Sequence, residues 1–484
     1  MQQLVLLHTM DVIQFTKTEK GRDKACCDGY FYNFEKNSKQ DVELEFWVCE
    51  DYFKSLKCKG RIHIKNGRVV KNSSVHNHAP NWQRKSALDA VAQVKHLATT
   101  SSDGTDNIVT TATSDLQEAA TTQLPAEYSL KRTVQRKRVA LQNHPAEPKH
   151  LEDLVIPDAF KEFEDGTKFL VYDSGPGSNR ICIFSTQANL ELLSRSEQFF
   201  SDGTFSTAPR RLFYQLYSIH GIFHNNILPL VYAFLPNKSA ETYGRLMEEL
   251  KRLQPSINPQ KWMTDFERAS INAIQSSFPQ VSHTGCFFHF QQCVWRKIQE
   301  MGLSLAYREQ DGAFALSARC LAALAFVPLF DVCDSFDMLV ADENFDQRLQ
   351  PLVVYFEDTW IGRRSVRGQR DSPMFPITSW NVFTRCLNRE RRTNNDIEGW
   401  HRRFQTVVIR RNPSVFDCIE ALKREQKRNE TRINRINAGE QLTHKKRKYR
   451  DLDERIFKLV TEYGERSRVQ YLRGIAYNFQ FKEM

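Results

Sequence analysis

The chain has 484 residues, too many for one ordinary domain and enough, at about 150 residues each, for two to four. Hydrophobic residues at 40% and charged residues at 26% exclude wholesale disorder, and no apolar run approaches the roughly 18 residues of a membrane span. A net charge of +10 favours polyanionic partners, nucleic acid first, although plain solubility carries the same signature. The 11 cysteines are odd in number and scattered from Cys26 to Cys418, which fits a reducing compartment better than a disulfide framework. The opening MQQLVLLHTMDV has a short apolar patch without a basic flank or a small-residue cleavage site. The expectation is a protein neither secreted nor held in a membrane.

The first predicted unit covers residues 11–80, rich in aromatics, Cys and His, with VELEFWVCE and CKGRIHI reading as strands. Cys49, Cys58, His76 and His78 supply two thiolates and two imidazoles, a donor set that tetrahedral zinc accepts. The spacing C-x8-C-x17-H-x-H is not that of a helix-bearing finger. It places Cys49 and Cys58 on antiparallel strands joined by DYFKSL, with His76 and His78 pointing to one side of an extended segment. Spacing alone leaves open a small β domain with buried cysteines and surface histidines. Together, DGYFY, FWVC, KCKGRIHI and HNHAP resemble a FLYWCH-type zinc finger, matched at Tyr30, Tyr32, Trp47, Cys49, Cys58, His76 and His78. The resemblance implies Zn2+ on those cysteines and histidines, and binding to DNA or protein. CCDGY departs from the pattern and puts extra thiols at Cys26 and Cys27; Tyr30 and Tyr32 are expected to pack in the core rather than stack on bases.

Residues 81–150 read as a flexible linker. Its stretch ATTSSDGTDNIVTTATSD (98–115) has almost no large apolar residue, so it is expected to be disordered. A basic stripe, LKRTVQRKR (130–138), lies just beyond it.

From about Leu151 the pattern is α/β. FFSDGTFS, RRLFYQLYSIHGIF and NILPLVYAFLP predict three strands, and SAETYGRLMEELKRL a helix capped by Ser239. KWMTDF predicts a short strand, ERASINAIQSSF a helix and VSHTGCFFH a fifth strand, which together give a mixed sheet covered by helices. The pattern is mostly helical from about 290 to 375, and helical and increasingly basic beyond Thr393.

Three acidic residues stand out: Asp202 in FFSDGTF, Asp265 in WMTDFE and Glu398 in TNNDIEGWH. Carboxylates at strand ends suit Mg2+ or Mn2+. Each also has a local reading: a hairpin turn at Asp202-Gly203, a helix N-cap at Asp265, and a capping box joining Glu398 to Asn395. DGTF, PRRLFYQLYSIHG, LPLVYAFLPNKSAETY, TDFERA, GCFFHF and TNNDIEGWHRRF, in that order, resemble a Mutator-like element (MULE) transposase domain. The resemblance runs over 151–410 and implies an RNase H-like α/β fold with a helical insertion at about 290–390. It implies a catalytic triad of Asp202, Asp265 and Glu398 holding Mg2+ or Mn2+, with Cys286 and His289 forming a CxxH signature of possible metal-binding or structural role. His401 is open between a phosphate contact and a solvated helix face.

Residues 411–484 are expected to form a basic helical region. Its cluster Lys445, Lys446, Arg447 and Lys448 is a candidate nuclear localisation signal and DNA-phosphate contact, with Arg136–Arg138 as the alternative signal. The expected function is therefore a nuclear DNA transposase that binds double-stranded DNA and cleaves and transfers strands, with a homo-oligomer on DNA possible. The alternative is a transposase-derived DNA or chromatin binder that does not cut.

Overall fold

The computed structural model describes residues 13–17, 22–72, 75–101, 103–141, 144–309, 312–365, 368–408, 413–440 and 447–481. The chain divides into two compact units, Met1–Pro145 and Ala146–Met484. Among the described residues no helix is long and apolar enough to cross a membrane.

The first unit opens with six antiparallel strands in sequential order: β1 (Gln14–Lys17), β2 (Asp23–Cys27), β3 (Tyr30–Asn37), β4 (Leu44–Cys49), β5 (Arg61–Lys65) and β6 (Arg68–Asn72). Its small core contains Ala25, Cys27, Tyr32, Trp47, Cys49, Cys58, Ile62 and Ile64. Tyr32 sits directly opposite Cys49 across the β3–β4 pair, so the core reaches the candidate ligands.

The expected linker is helical instead. Helices Arg84–Thr100, Thr105–Thr113 and Glu127–Leu141 pack around Val91, Val94, Ala98, Ile108, Val109, Ala112, Leu130 and Val134. The sequence conceals this core because its members are small. Spacing still marks it: Ile108, Val109 and Ala112 fall on one helical face. Helix Arg84–Thr100 is tied back to the finger, since Lys24 and Arg84 both pair with buried Glu50 and Thr16 donates to Asp89 at 2.7 Å. Arg138, part of the expected basic stripe, donates to the carbonyls of Ala98, Ser101 and Asp103 and so satisfies backbone groups at the end of the first helix. Arg136 and Lys137 stay exposed.

The second unit is built on a seven-stranded sheet. Its strands are β7 (Leu170–Asp173), β8 (Cys182–Phe184), β9 (Gln198–Thr204), β10 (Gln215–Phe223), β11 (Asn226–Leu235), β12 (Lys261–Thr264) and β13 (Ser282–Gly285), in the order β13-β12-β9-β10-β11-β8-β7. β9, β10 and β11 form an antiparallel meander, while β12 runs parallel to β9 and β13 parallel to β12. That five-strand order and polarity is the RNase H-like arrangement; β7 and β8, short and unanticipated, extend its far edge. Alternation along β11 separates two cores. Tyr232 and Phe234 face helices Asn395–Val407 and Val415–Asn437, and Val231, Ala233 and Leu235 face helices Ala240–Leu253 and Arg268–Ser277. Ser239 caps the first of these helices by accepting from the Thr242 N–H.

Between β13 and helix Asn395–Val407 lies a mostly helical insertion with its own aromatic core, in which Phe290 stacks on Trp380 with ring centroids 5.0 Å apart. The residues after 410 do not form one separate basic region. Helix Val415–Asn437 covers the sheet, whereas helices Arg447–Thr461 and Arg468–Ala476 complete the core of the insertion.

The helical reassignment of residues 84–141 is directly testable. Leu130→Ala removes a buried side chain from the three-helix core and should destabilise the first unit by about 2–5 kcal/mol in a denaturant titration. Limited digestion of the parent protein by a broad-specificity protease should leave 98–115 intact under conditions where the variant is cut; early cutting of the parent there would restore the linker.

Candidate functional site

In the first unit, Cys49 ends β4, Cys58 lies in the loop before β5, and His76 and His78 follow β6. Their donor atoms all lie within 4.8 Å of one another. The Cys49 Sγ–His78 Nε2 distance is 3.2 Å, Cys58 Sγ–His76 Nδ1 is 3.3 Å and His76 Nδ1–His78 Nε2 is 3.3 Å. Zinc bonds of about 2.0–2.3 Å in a tetrahedron place ligand atoms roughly 3.3–3.8 Å apart, so the set fits zinc. The outer partners fit as well. With Nδ1 turned to the metal, His76 Nε2–H faces the Tyr32 hydroxyl at 2.8 Å, and His78 Nδ1–H faces the Ala79 carbonyl at 3.1 Å. Tyr30 stacks on the His76 ring at 3.6 Å. Both tyrosines therefore hold ligands. Cys26 and Cys27 stay outside the donor group.

Without a metal charge, burial pushes the Cys49 thiol up to about 12, with Cys58 adding to the shift, and pushes His76 down to about 4. Neutral imidazole is the form that binds zinc, and the cation supplies what the thiolate otherwise lacks. Gly60 has a particular duty here. A Cβ at that position would lie 2.5 Å from His76 Cε1, inside the ring's contact distance. Gly60→Ala leaves all four ligands in place but should weaken zinc binding about 10–100-fold, the range for losing a supporting contact. Competition with a chromophoric chelator measures this, and an unchanged affinity would show that the His76 ring is free to move.

In the second unit the three carboxylates come from different elements. Asp202 lies within β9, paired with Ser218 of β10, so Asp202-Gly203 is not a hairpin turn. Asp265 follows β12, and the cap position of the next helix belongs to Glu267. Glu398 stands in the first turn of helix Asn395–Val407, whose cap is Asn394 without a side-chain bond, so no capping box forms. All three local alternatives are thereby replaced. Burial raises the Asp202 carboxyl well above the usual 3.8, and the negative charges of Asp265 and Glu398 add to the effect. Burial raises Asp265 too, against the pull of Lys238. Among the described residues no second donor group is as compact as the finger's. Oxygen donors drawn from two strands and a helix suit a hard divalent cation.

The Cys286-x2-His289 pair is divided. Cys286 is buried, donates to Asn394 Oδ1 at 2.9 Å and accepts from the Asn394 N–H at 3.3 Å, so it pins the start of the helix that carries Glu398. Burial pushes its thiol up to about 12. His289 instead faces Asp202 Oδ2 at 4.0 Å. His401 is neither solvated nor set for an outer phosphate contact. It is partly buried, with Nδ1 3.6 Å from Asp202 Oδ2, and burial pushes it down to about 3. Ser218 and His220, not singled out in the sequence, sit behind it: Ser218 Oγ is 3.5 Å from His401 Nε2 and 2.9 Å from His220 Nε2.

The Asp202 shift has a stability consequence. Its folded pKa exceeds the unfolded value, so the native state keeps a proton that the unfolded chain releases. The resulting penalty is absent below about pH 4 and grows as pH rises toward the folded value. Asp202→Asn should therefore raise the melting temperature of zinc-loaded protein without added Mg2+ or Mn2+ at neutral pH, and much less near pH 4. Calorimetry tests this; a lower melting temperature at neutral pH would mean that Asp202 is stabilised rather than crowded.

A model of the MULE transposase domain matches residues 199–293, which include Asp202, Asp265, Cys286 and His289 but stop short of Glu398. A model of the FLYWCH zinc finger domain matches residues 15–78, which include all four candidate zinc ligands. No curated protein matches the chain. The chain thus combines an N-terminal FLYWCH zinc finger domain with a MULE transposase domain, the architecture of a transposase-related DNA-binding protein.

Proposed function

We propose that the protein is a DNA transposase in which Asp202, Asp265 and Glu398 are the catalytic carboxylates and Cys49, Cys58, His76 and His78 hold Zn2+. The observation that carries the reading is the meeting of three carboxylates from β9, the end of β12 and helix Asn395–Val407, close enough that Asp202 responds to both others. Mg2+ or Mn2+ bound there would activate water or a DNA 3′-hydroxyl and stabilise the leaving oxygen in an in-line displacement. Asp202, on the central strand, fixes its carboxylate through the Gly203 N–H, which donates to Oδ1 at 2.8 Å. Asp265 is held by the strand end beside it. Glu398 depends on its helix, whose first turn Cys286 anchors through Asn394.

DNA reaches the protein through the finger and through basic surfaces, consistent with the net charge of +10. The reading places the protein in the nucleus. Of the proposed signal, Lys445 and Lys446 lie outside the described residues, while Arg447 and Lys448 open helix Arg447–Thr461 and are exposed.

Asp265→Asn preserves size and removes one metal-holding charge. Cleavage of DNA bearing the element's ends, in Mg2+ or Mn2+, should fall by about 10²–10³-fold or more. Gel-shift affinity on the same DNA should change little, because phosphate contacts lie elsewhere. Equal cutting by variant and parent would remove Asp265 from the active site. A parent that binds the ends and never cuts under either metal would establish the non-catalytic, transposase-derived binder.

A further inference from the structure

His401 and Glu398 lie three residues apart on one helix, so their side chains share a face. Glu-x-x-His at this spacing is how helical di-metal proteins present one oxygen and one nitrogen donor to the same ion. Asp202 completes the constellation. Its Oδ1 accepts from the Gly203 N–H at 2.8 Å, which leaves Oδ2 turned toward His401 Nδ1 at 3.6 Å and, on another side, His289 Nε2 at 4.0 Å. Both separations exceed a hydrogen bond, so neither imidazole is explained as the direct partner of the carboxylate.

The far side of His401 is also built. Nε2 faces Ser218 Oγ at 3.5 Å, and that hydroxyl is held by His220 Nε2 at 2.9 Å and opposite the Asp202 carbonyl at 3.4 Å. A metal-ligating histidine characteristically directs its second nitrogen to such an outer partner, which fixes the ring and its tautomer. Trp400, the neighbouring residue, locks the helix by donating to Glu425 at 2.9 Å.

We infer that His401 Nδ1 is a ligand of the divalent cation held by Asp202 and Glu398, which gives the transposase site a mixed nitrogen–oxygen donor set that selects Mn2+ over Mg2+. The inference rests on the proposed carboxylate site and adds a nitrogen donor to it. Imidazole is a softer donor than carboxylate or water, and Mg2+ demands oxygen, so nitrogen ligation shifts preference toward Mn2+.

The test uses the full-length, zinc-loaded chain with Mn2+ as the probe. Electron spin-echo spectra of bound Mn2+ report directly coupled nitrogen, which a merely structural histidine does not supply. Nitrogen modulation is expected in the parent and in His289→Gln, and is expected to vanish in the His289→Gln/His401→Gln double variant. His401→Gln alone should weaken Mn2+ binding by calorimetric titration about 10–100-fold and Mg2+ binding much less. Mn2+ that binds in an Asp202- and Asp265-dependent manner without nitrogen modulation overturns the inference and leaves the carboxylate site standing. Mn2+ binding untouched by Asp202→Asn and Asp265→Asn would sink the carboxylate reading itself. Circular dichroism of each variant confirms that the fold survives, and His401→Ala supplies a smaller replacement if glutamine perturbs it.

Discussion

Repulsion at the buried Asp202 carboxyl is the constraint around which the site of the second unit is organised. The charges of Asp265 and Glu398 raise the cost of ionising Asp202 in a site where burial already disfavours charge. Left to relax, three flexible chain segments would move these groups apart. The fold prevents this by placing Asp202 on β9, the middle of the five strands β13-β12-β9-β10-β11, and Asp265 at the end of the neighbouring parallel β12. Both strands are anchored on the opposite face, where Tyr217 and Trp262 each donate to Ser201 Oγ at 2.7 and 2.9 Å. The backbone that carries the two carboxyls is thus fixed from behind, and the repulsion is held in place.

Glu398 is the harder residue to position, because the chain leaves the sheet at Gly285 and returns only near Asn394. The Cys286–Asn394 pair closes that loop across 108 residues with two bonds to one buried thiol. The insertion stiffens the excursion. Its aromatic core takes in Phe287 and Phe290 from the helix that follows β13, and C-terminal helices complete it. A cysteine that resembles half of a metal signature therefore acts as a hinge pin, while the histidine three residues later turns to the carboxylates. One short motif serves two separate tasks because consecutive faces of the first helical turn meet different neighbours.

The sheet and the finger's donor cluster were legible because their signals are local and chemically strong. Strands β10 and β11 are rich in apolar residues, Ser239 caps where its hydroxyl predicts, and the finger's donors have unusual spacing. Three kinds of feature escaped. Residues 98–115 looked disordered because their core is made of Ala, Val and Ile rather than aromatics, and only the packing of three helices gives those small side chains a partner. The environment of His401 also escaped. Ser218, His220 and His289 reach it from β10 and from a helix more than 100 residues earlier, and no spacing in the sequence encodes that meeting. Short β7 and β8 were missed because strands of four and three residues carry little periodicity.

The two units solve opposite electrostatic problems. In the finger, burial disfavours charge on the Cys49 thiol and the His76 ring, a cation supplies what the thiolate lacks, and Tyr32, Tyr30 and Ala79 fix the rings beforehand. In the second unit burial and the charges of Asp265 and Glu398 oppose ionisation of Asp202, and the fold restrains that repulsion. A zinc ion is consequently part of folding in the first case, since a small β core has little else to hold His76 and His78. In the second unit the sheet itself contains the repulsion around Asp202. Folding of the first unit is therefore coupled to metal, whereas the second reaches its architecture through cores of its own.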